Sequence, residues 1–175
     1  MSEEEKTGVE NNAEIGVVIE SSIDTEVVAA GRQDIVLQKL VLRTNLVNLI
    51  TISRWNHAEN TDKLYEIRKI QDGYYNIVFN DKDISSHHCA IYKRDGGYYL
   101  YDGVWYLKDG IFSLSNVSAD GKLLEPFQKK PSKNGTYHSG GTFGDIRRLD
   151  TGEKKKLKTG DKITACRYAF EIEIR

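Results

Sequence analysis

From Tyr75 to Leu114 the chain is a succession of short aromatic and β-branched runs separated by turn residues. The runs are Tyr75–Phe79, Cys89–Tyr92, Tyr98–Tyr101, Trp105–Leu107 and Ile111–Leu114. Residues of this kind, in pieces this short, fit pleated, half-buried strands. Arg94-Asp95-Gly96-Gly97 reads as a tight hairpin turn between two of them. Lys39–Leu42, Leu49–Ile52 and Lys63–Ile67 extend the pattern upstream, and Ala169–Ile174 closes it with strict period-two alternation. Segment 34–52 has enough leucine for a helix, but its Val, Ile and Thr content and the Arg43-Thr44-Asn45 break favour strands. Ten Tyr and fifteen Gly against two Pro suit the same reading. The expectation is an all-β, two-sheet β-sandwich of about eleven strands.

Charge divides the chain. Residues 1–26 carry eight acids and one base, while the whole chain holds 25 Lys+Arg and 26 Asp+Glu. Residues 1–33 therefore read as an acidic, disordered tail, and 34–175 as the folded domain, with insertions around 56–75 and 103–131. Segment 115–133, with both prolines, reads as a long surface loop. The near-neutral balance argues against a general nucleic-acid binder. No run approaches 18 apolar residues, so no membrane span is expected, and the acidic start lacks a secretory leader pattern. Cys89 and Cys166 have no partner at metal-ligand spacing, which gives the reading of two reduced thiols in a cytoplasmic protein without a metal site. The basic run Glu153–Lys158 reads as a solvated hairpin turn.

Residues 76–91, Asn-Ile-Val-Phe-Asn-Asp-Lys-Asp-Ile-Ser-Ser-His-His-Cys-Ala-Ile, contain Ser85-Ser86-His87-His88 between two strands. Tyr98–Asp102 supplies Y-x-L-x-D, Ser132–Tyr137 supplies S-x-N-G-T-x, Leu157–Ile163 supplies L-x-x-G-D-x-I, and Ile50-Thr51-Ile52-Ser53-Arg54 stands in for I-x-I-G-R. In this order the pieces resemble the forkhead-associated (FHA) domain family over roughly residues 38–175. The resemblance implies a phosphothreonine-peptide-binding module that catalyses nothing and needs no cofactor. It implies partners that are phosphothreonine-containing proteins made by a Ser/Thr kinase.

A phosphate of nearly two negative charges needs a fixed cation with hydroxyl and amide donors around it. By resemblance, Arg54 is that cation, and Ser85, Ser86 and Lys133 donate to the phosphate. Asn134 holds the peptide backbone and Thr136 stands with it in the binding loop. His88 and Gly135 support the loops. Two departures matter: Ser53 replaces glycine, and Ser86 stands where many members have a base. The 31 positions from Arg54 to Ser85 leave a second alignment, in which Arg68 or Lys69 is the cation. These departures also keep open a phospho-independent assembly role with a degenerate phosphate site. A hydrolase reading of Ser85, His88 and Asp102 is set aside, because no nucleophile-elbow glycines flank the serine. Thr25, acidic on both sides, is a candidate regulatory phosphosite within reach of the domain.

Overall fold

Alternation along the strands builds the core. Ile50 and Ile52, then Tyr75, Ile77 and Phe79, then Tyr168, Phe170 and Ile172 all turn one way and are buried together. The computed structural model describes residues 16–21, 36–54, 64–107, 110–111, 127–140 and 146–175. These hold fifteen strands and no helix.

In chain order the strands are β1 (Val17–Ser21), β2 (Val36–Leu42), β3 (Leu49–Arg54), β4 (Tyr65–Gln71), β5 (Tyr74–Phe79), β6 (Cys89–Arg94), β7 (Gly97–Asp102), β8 (Val104–Leu107), β9 (Gly110–Ile111), β10 (Phe127–Lys130), β11 (Thr136–Ser139), β12 (Arg147–Arg148), β13 (Lys154–Leu157), β14 (Lys162–Ala165) and β15 (Tyr168–Ile174). One six-stranded sheet runs β1-β2-β15-β14-β11-β12, and the other runs β13-β7-β6-β3-β5-β4. Their inner faces enclose the core, as in a β-sandwich. Strands β10-β8-β9 form a small third sheet.

Local chemistry explains several turns. Asp95 (φ 48°) and Gly96 (φ 76°) both lie at positive φ, the two-residue turn whose twist matches a hairpin, here β6–β7. Gly103, at φ 76°, lets its backbone press on Lys130 and Pro131 where a β-carbon would collide. That approach sets the chain down at Ser132, beside the end of β7.

The strand count exceeds the expected eleven because several strands lie where polar sequence suggested turns, loops or tail. Most of the expected insertion at 56–75 is β4 with its hairpin into β5; residues 55–63 lie outside the described residues. The expected loop 115–133 contains β10, which pairs with β8. The expected turn at Glu153–Lys158 is instead β13, held by backbone pairing to β7 and by burial of Leu157. Within the expected tail, β1 pairs with β2 and buries Val17. The rest of that tail, with Thr25, lies outside the described residues.

Candidate functional site

Strand register brings one end of both sheets together. Arg54 closes β3, and its parallel neighbour β5 ends level with it at Phe79. The loop 80–88 then folds back across the end of β3. Arg54 N–H donates to Ser85 O (3.1 Å), and His88 N–H donates to Ile52 O (2.8 Å). Residues 31 positions apart in sequence thus become neighbours, and Arg54 Nη2 donates to Ser86 Oγ at 3.3 Å. Arg54 Nη1 lies 3.5 Å from Lys82 O.

The loop between β10 and β11 faces this one. Asp102, buried at the end of β7, accepts hydrogen bonds from Ser132 Oγ (2.5 Å), Ser132 N–H (3.2 Å) and Thr136 Oγ1 (2.7 Å). An ionised carboxylate with several donors is a strong anchor, so both ends of the loop are fixed. Between them, Lys133 N–H donates to Ser85 Oγ (3.0 Å) and Asn134 Nδ2 donates to Asp83 O (2.7 Å). Ser85 Oγ accepts here, which leaves its own proton to donate outward.

His88 joins the two loops from beneath and is fully buried. Its Nδ1 accepts from Ser85 N–H (3.2 Å), so Nε2 carries the proton and donates to Gly135 O (3.0 Å). Burial pulls the imidazole below its ordinary pKa, outweighing the Gly135 carbonyl and the Asp102 charge, and keeps it neutral. With both ring nitrogens so engaged and Ser85 Oγ held by Lys133, Ser85 and His88 do not form a serine–histidine nucleophile pair.

A third loop, the turn between β14 and β15, completes the rim. Cys166 (φ 55°) donates from Sγ to Asp83 O at 3.0 Å, and Arg167 pairs with Asp81 at 3.2 Å. Burial works against the charged form of Asp81. The Tyr168 hydroxyl, the Asp83 amide and Arg167 nevertheless hold its carboxyl below the usual range. Asn80–Asp83, Asn134, Tyr137, Cys166 and Arg167 line a cleft of ≈ 770 Å³ beside these loops.

The sequence candidates divide. Arg54, Ser85, Ser86, Lys133 and Asn134 converge on one rim, with Ser86, Lys133 and Asn134 exposed. Thr136 does not join that surface: it is 1% exposed and its hydroxyl goes to Asp102, so it braces the loop from inside. The alternative cations lie elsewhere. Arg68 sits opposite Asn76, which is opposite Thr51, so it is two strands out from Arg54 and three residues back, about 10 Å in each direction. Arg68 pairs with Glu66 (3.2 Å) and Lys69 with Asp72 (2.9 Å).

Arg148 was not among the candidates. It lies over Gly135, whose added β-carbon would fall 2.5 Å from Arg148 Nε. Pairing of β12 with β11 puts it there, and no local motif announces it. Among the described residues, no group of three or more His, Cys, Asp or Glu side chains is placed to hold a metal ion.

The sandwich thus gathers a guanidinium, hydroxyls and backbone amides on loops at one end. The FHA domain family model matches residues 71–165, more than half of the chain, and the protein belongs to this family. FHA domains are in general non-catalytic interaction modules that bind phosphothreonine-containing proteins. No curated protein and no solved structure compared with the chain matches it.

Proposed function

We propose that this protein is a non-catalytic reader of phosphothreonine peptides and serves as an adaptor in an assembly that depends on a Ser/Thr kinase. The observation that carries the reading is the convergence of Arg54, Ser85 and Ser86 on one rim, 3.3 Å from guanidinium to the Ser86 hydroxyl. Both hydroxyl oxygens accept hydrogen bonds from the protein, so both protons are available to phosphate oxygens. Arg54 supplies a planar fork for two of those oxygens, and Lys133 and Arg148 add positive charge nearby. Asn134 Nδ2 is held by Asp83 O, which leaves its carbonyl to accept a backbone N–H of the peptide.

The test is fluorescence anisotropy of a degenerate phosphothreonine peptide pool against its unphosphorylated twin. Wild type binds only the phosphorylated pool. Arg54→Ala loses ~2–5 kcal/mol, the cost of removing one partner of a charge-assisted pair with the phosphate. Arg68→Ala binds like wild type. Equal binding of both pools would overturn the reading in favour of a phospho-independent assembly role, which the internal engagement of Asn134 with Asp83 would then explain.

A further inference from the structure

Asp81 opens the turn that leads from β5 into the phosphate loop, and its side chain is only 8% exposed although it stands at the rim. Aspartate is favoured at the first position of such a turn, because its carboxylate can accept the amide two residues on. Here Ile84 N–H donates to Asp81 O at 3.2 Å, and Asp83 N–H donates to Asp81 Oδ1 at 2.9 Å. The buried Ile84 side chain pins the far end of the turn in the core. For a turn alone, one carboxylate oxygen is enough.

The second oxygen is engaged from another part of the chain. Tyr168 Oη donates to Oδ2 at 2.6 Å, and Arg167 Nε lies 3.2 Å from the same atom. The Arg167 guanidinium also sits over the Tyr168 ring, 5.3 Å from its centroid. Tyr168 itself is buried, with the Phe79 ring 4.4 Å away, centroid to centroid. Asp81 thus ties the phosphate loop to the first residue of β15, on the opposite sheet, through a packed aromatic post.

The held turn presents its carbonyls to the recognition side chains. Lys82 O lies 3.5 Å from Arg54 Nη1, and the amide in that same peptide unit is the Asp83 N–H that Asp81 Oδ1 accepts. A trans peptide unit is planar and points its N–H and C=O in opposite directions. Fixing the N–H on Asp81 therefore aims Lys82 O at the guanidinium. The next carbonyl, Asp83 O, accepts from Asn134 Nδ2 (2.7 Å) and Cys166 Sγ (3.0 Å). An acid at this place would repel a phosphate, and the Arg167 pair offsets its charge.

We propose that Asp81 is a positioning residue of the phosphothreonine site, which orients the Lys82–Asp83 peptide unit and through it Arg54 and Asn134, with Arg167 as the counter-charge that lets an acid stand there. The proposal rests on the phosphothreonine reading, and the experiment separates the two. A labelled phosphothreonine peptide with neutral flanks is titrated into wild type, Asp81→Ala, Asp81→Asn, Arg167→Gln and the double variant Asp81→Asn/Arg167→Gln, each at a temperature where its melting curve shows it folded. In the free proteins, NMR follows the side-chain amide of Asn134 and the Nε–H of Arg54. Asparagine keeps an acceptor for Asp83 N–H, and its amide nitrogen can donate to Tyr168 Oη, since a phenol accepts as well as donates.

Asp81→Ala binds about tenfold more weakly, what one hydrogen bond to the ligand contributes, and both sets of resonances move. Asp81→Asn restores affinity to within about twofold of wild type and returns the resonances. Arg167→Gln weakens binding about twofold to threefold, more at low salt, and costs nothing in the Asp81→Asn background, where no charge is left to offset. Wild-type affinity and unmoved resonances in Asp81→Ala, even with a lower Tm, would make Asp81 structural only and overturn the proposal. Asp81→Asn as weak as Asp81→Ala overturns the turn argument, and an Arg167→Gln loss that persists beside Asp81→Asn overturns the counter-charge. If wild type shows no phosphate-dependent binding, the first reading has failed. The resonances then decide alone: movement in Asp81→Ala that Asp81→Asn reverses upholds the positioning role, and its absence ends it.

Discussion

Replacing His88 by alanine tests how the site is held together. The imidazole makes two hydrogen bonds, one to each loop, and touches no open surface. Its removal orphans the Gly135 carbonyl, which is buried, and the Ser85 amide, which is only partly so. A buried polar group left without a partner costs ~1–3 kcal/mol. Water reaches the Ser85 side in the variant and softens that half, so the total is about 2–4 kcal/mol. Urea unfolding followed by intrinsic fluorescence gives the midpoint and slope, and a fall in midpoint at constant slope is the expected signature. Phosphopeptide affinity falls in the same variant, because Ser85 and Asn134 lose their common tether. Arg54→Ala behaves in the opposite way, with affinity lost and stability nearly kept, since its side-chain hydrogen bonds are long and exposed. A His88→Ala protein within ~1 kcal/mol of wild type, or one destabilised with full affinity, would refute the argument.

Three further outcomes follow from the same geometry. Burial sets the folded pKa of His88 below its ordinary value, so the unfolded chain binds the proton first; stability is whole above about pH 6.5 and declines as pH falls below it, which a thermal-unfolding series from pH 8 to 5 shows as a drop in Tm that is smaller in His88→Gln. Gly135→Ala places a side chain at φ +79° against Arg148, costing ~1–2 kcal/mol for the left-handed conformation alone and weakening peptide binding; an unchanged melting curve would mean the turn is not built this way. Asp102→Asn presents an amide donor to Ser132 and Thr136, which already donate there, and destabilises by at least ~2 kcal/mol in chemical denaturation, whereas Thr136→Val, which removes one donor, costs ~1 kcal/mol.

Where side-chain pattern and backbone need coincide, the fold was legible. β15 alternates Tyr168, Phe170 and Ile172 into the core, and Asp95-Gly96 supplies the two positive φ values that its hairpin requires. β13 was not legible, because an edge strand asks for one buried side chain, Leu157, and tolerates lysine everywhere else. β1 was hidden for a similar reason, its acidic neighbourhood masking Val17. In the candidate site, the choice between Arg54 and Arg68 depended on pairing of β3, β4 and β5, which a linear spacing of 31 residues leaves open. Thr136 sits inside a binding motif yet faces inward, since side-chain direction is set by the strand that follows it. Arg148 reaches the rim only through a two-residue strand pair, a contact no short motif encodes.

The seat of β15 between β2 and β14 has a consequence for synthesis. It pairs in parallel with β2 from Val36↔Tyr168 to Leu42↔Ile174, and antiparallel with β14 on its other side. Until residues 168–174 have left the ribosome, β1-β2 and β14-β11-β12 are separate pieces with unpaired edges. At roughly 5–20 residues per second, translation therefore runs for several seconds while the recognition loops wait on one sheet for a partner on the other. The two pieces join only once β15 is made, and a nascent chain stalled before Tyr168 exposes two edges open to strand addition by other chains.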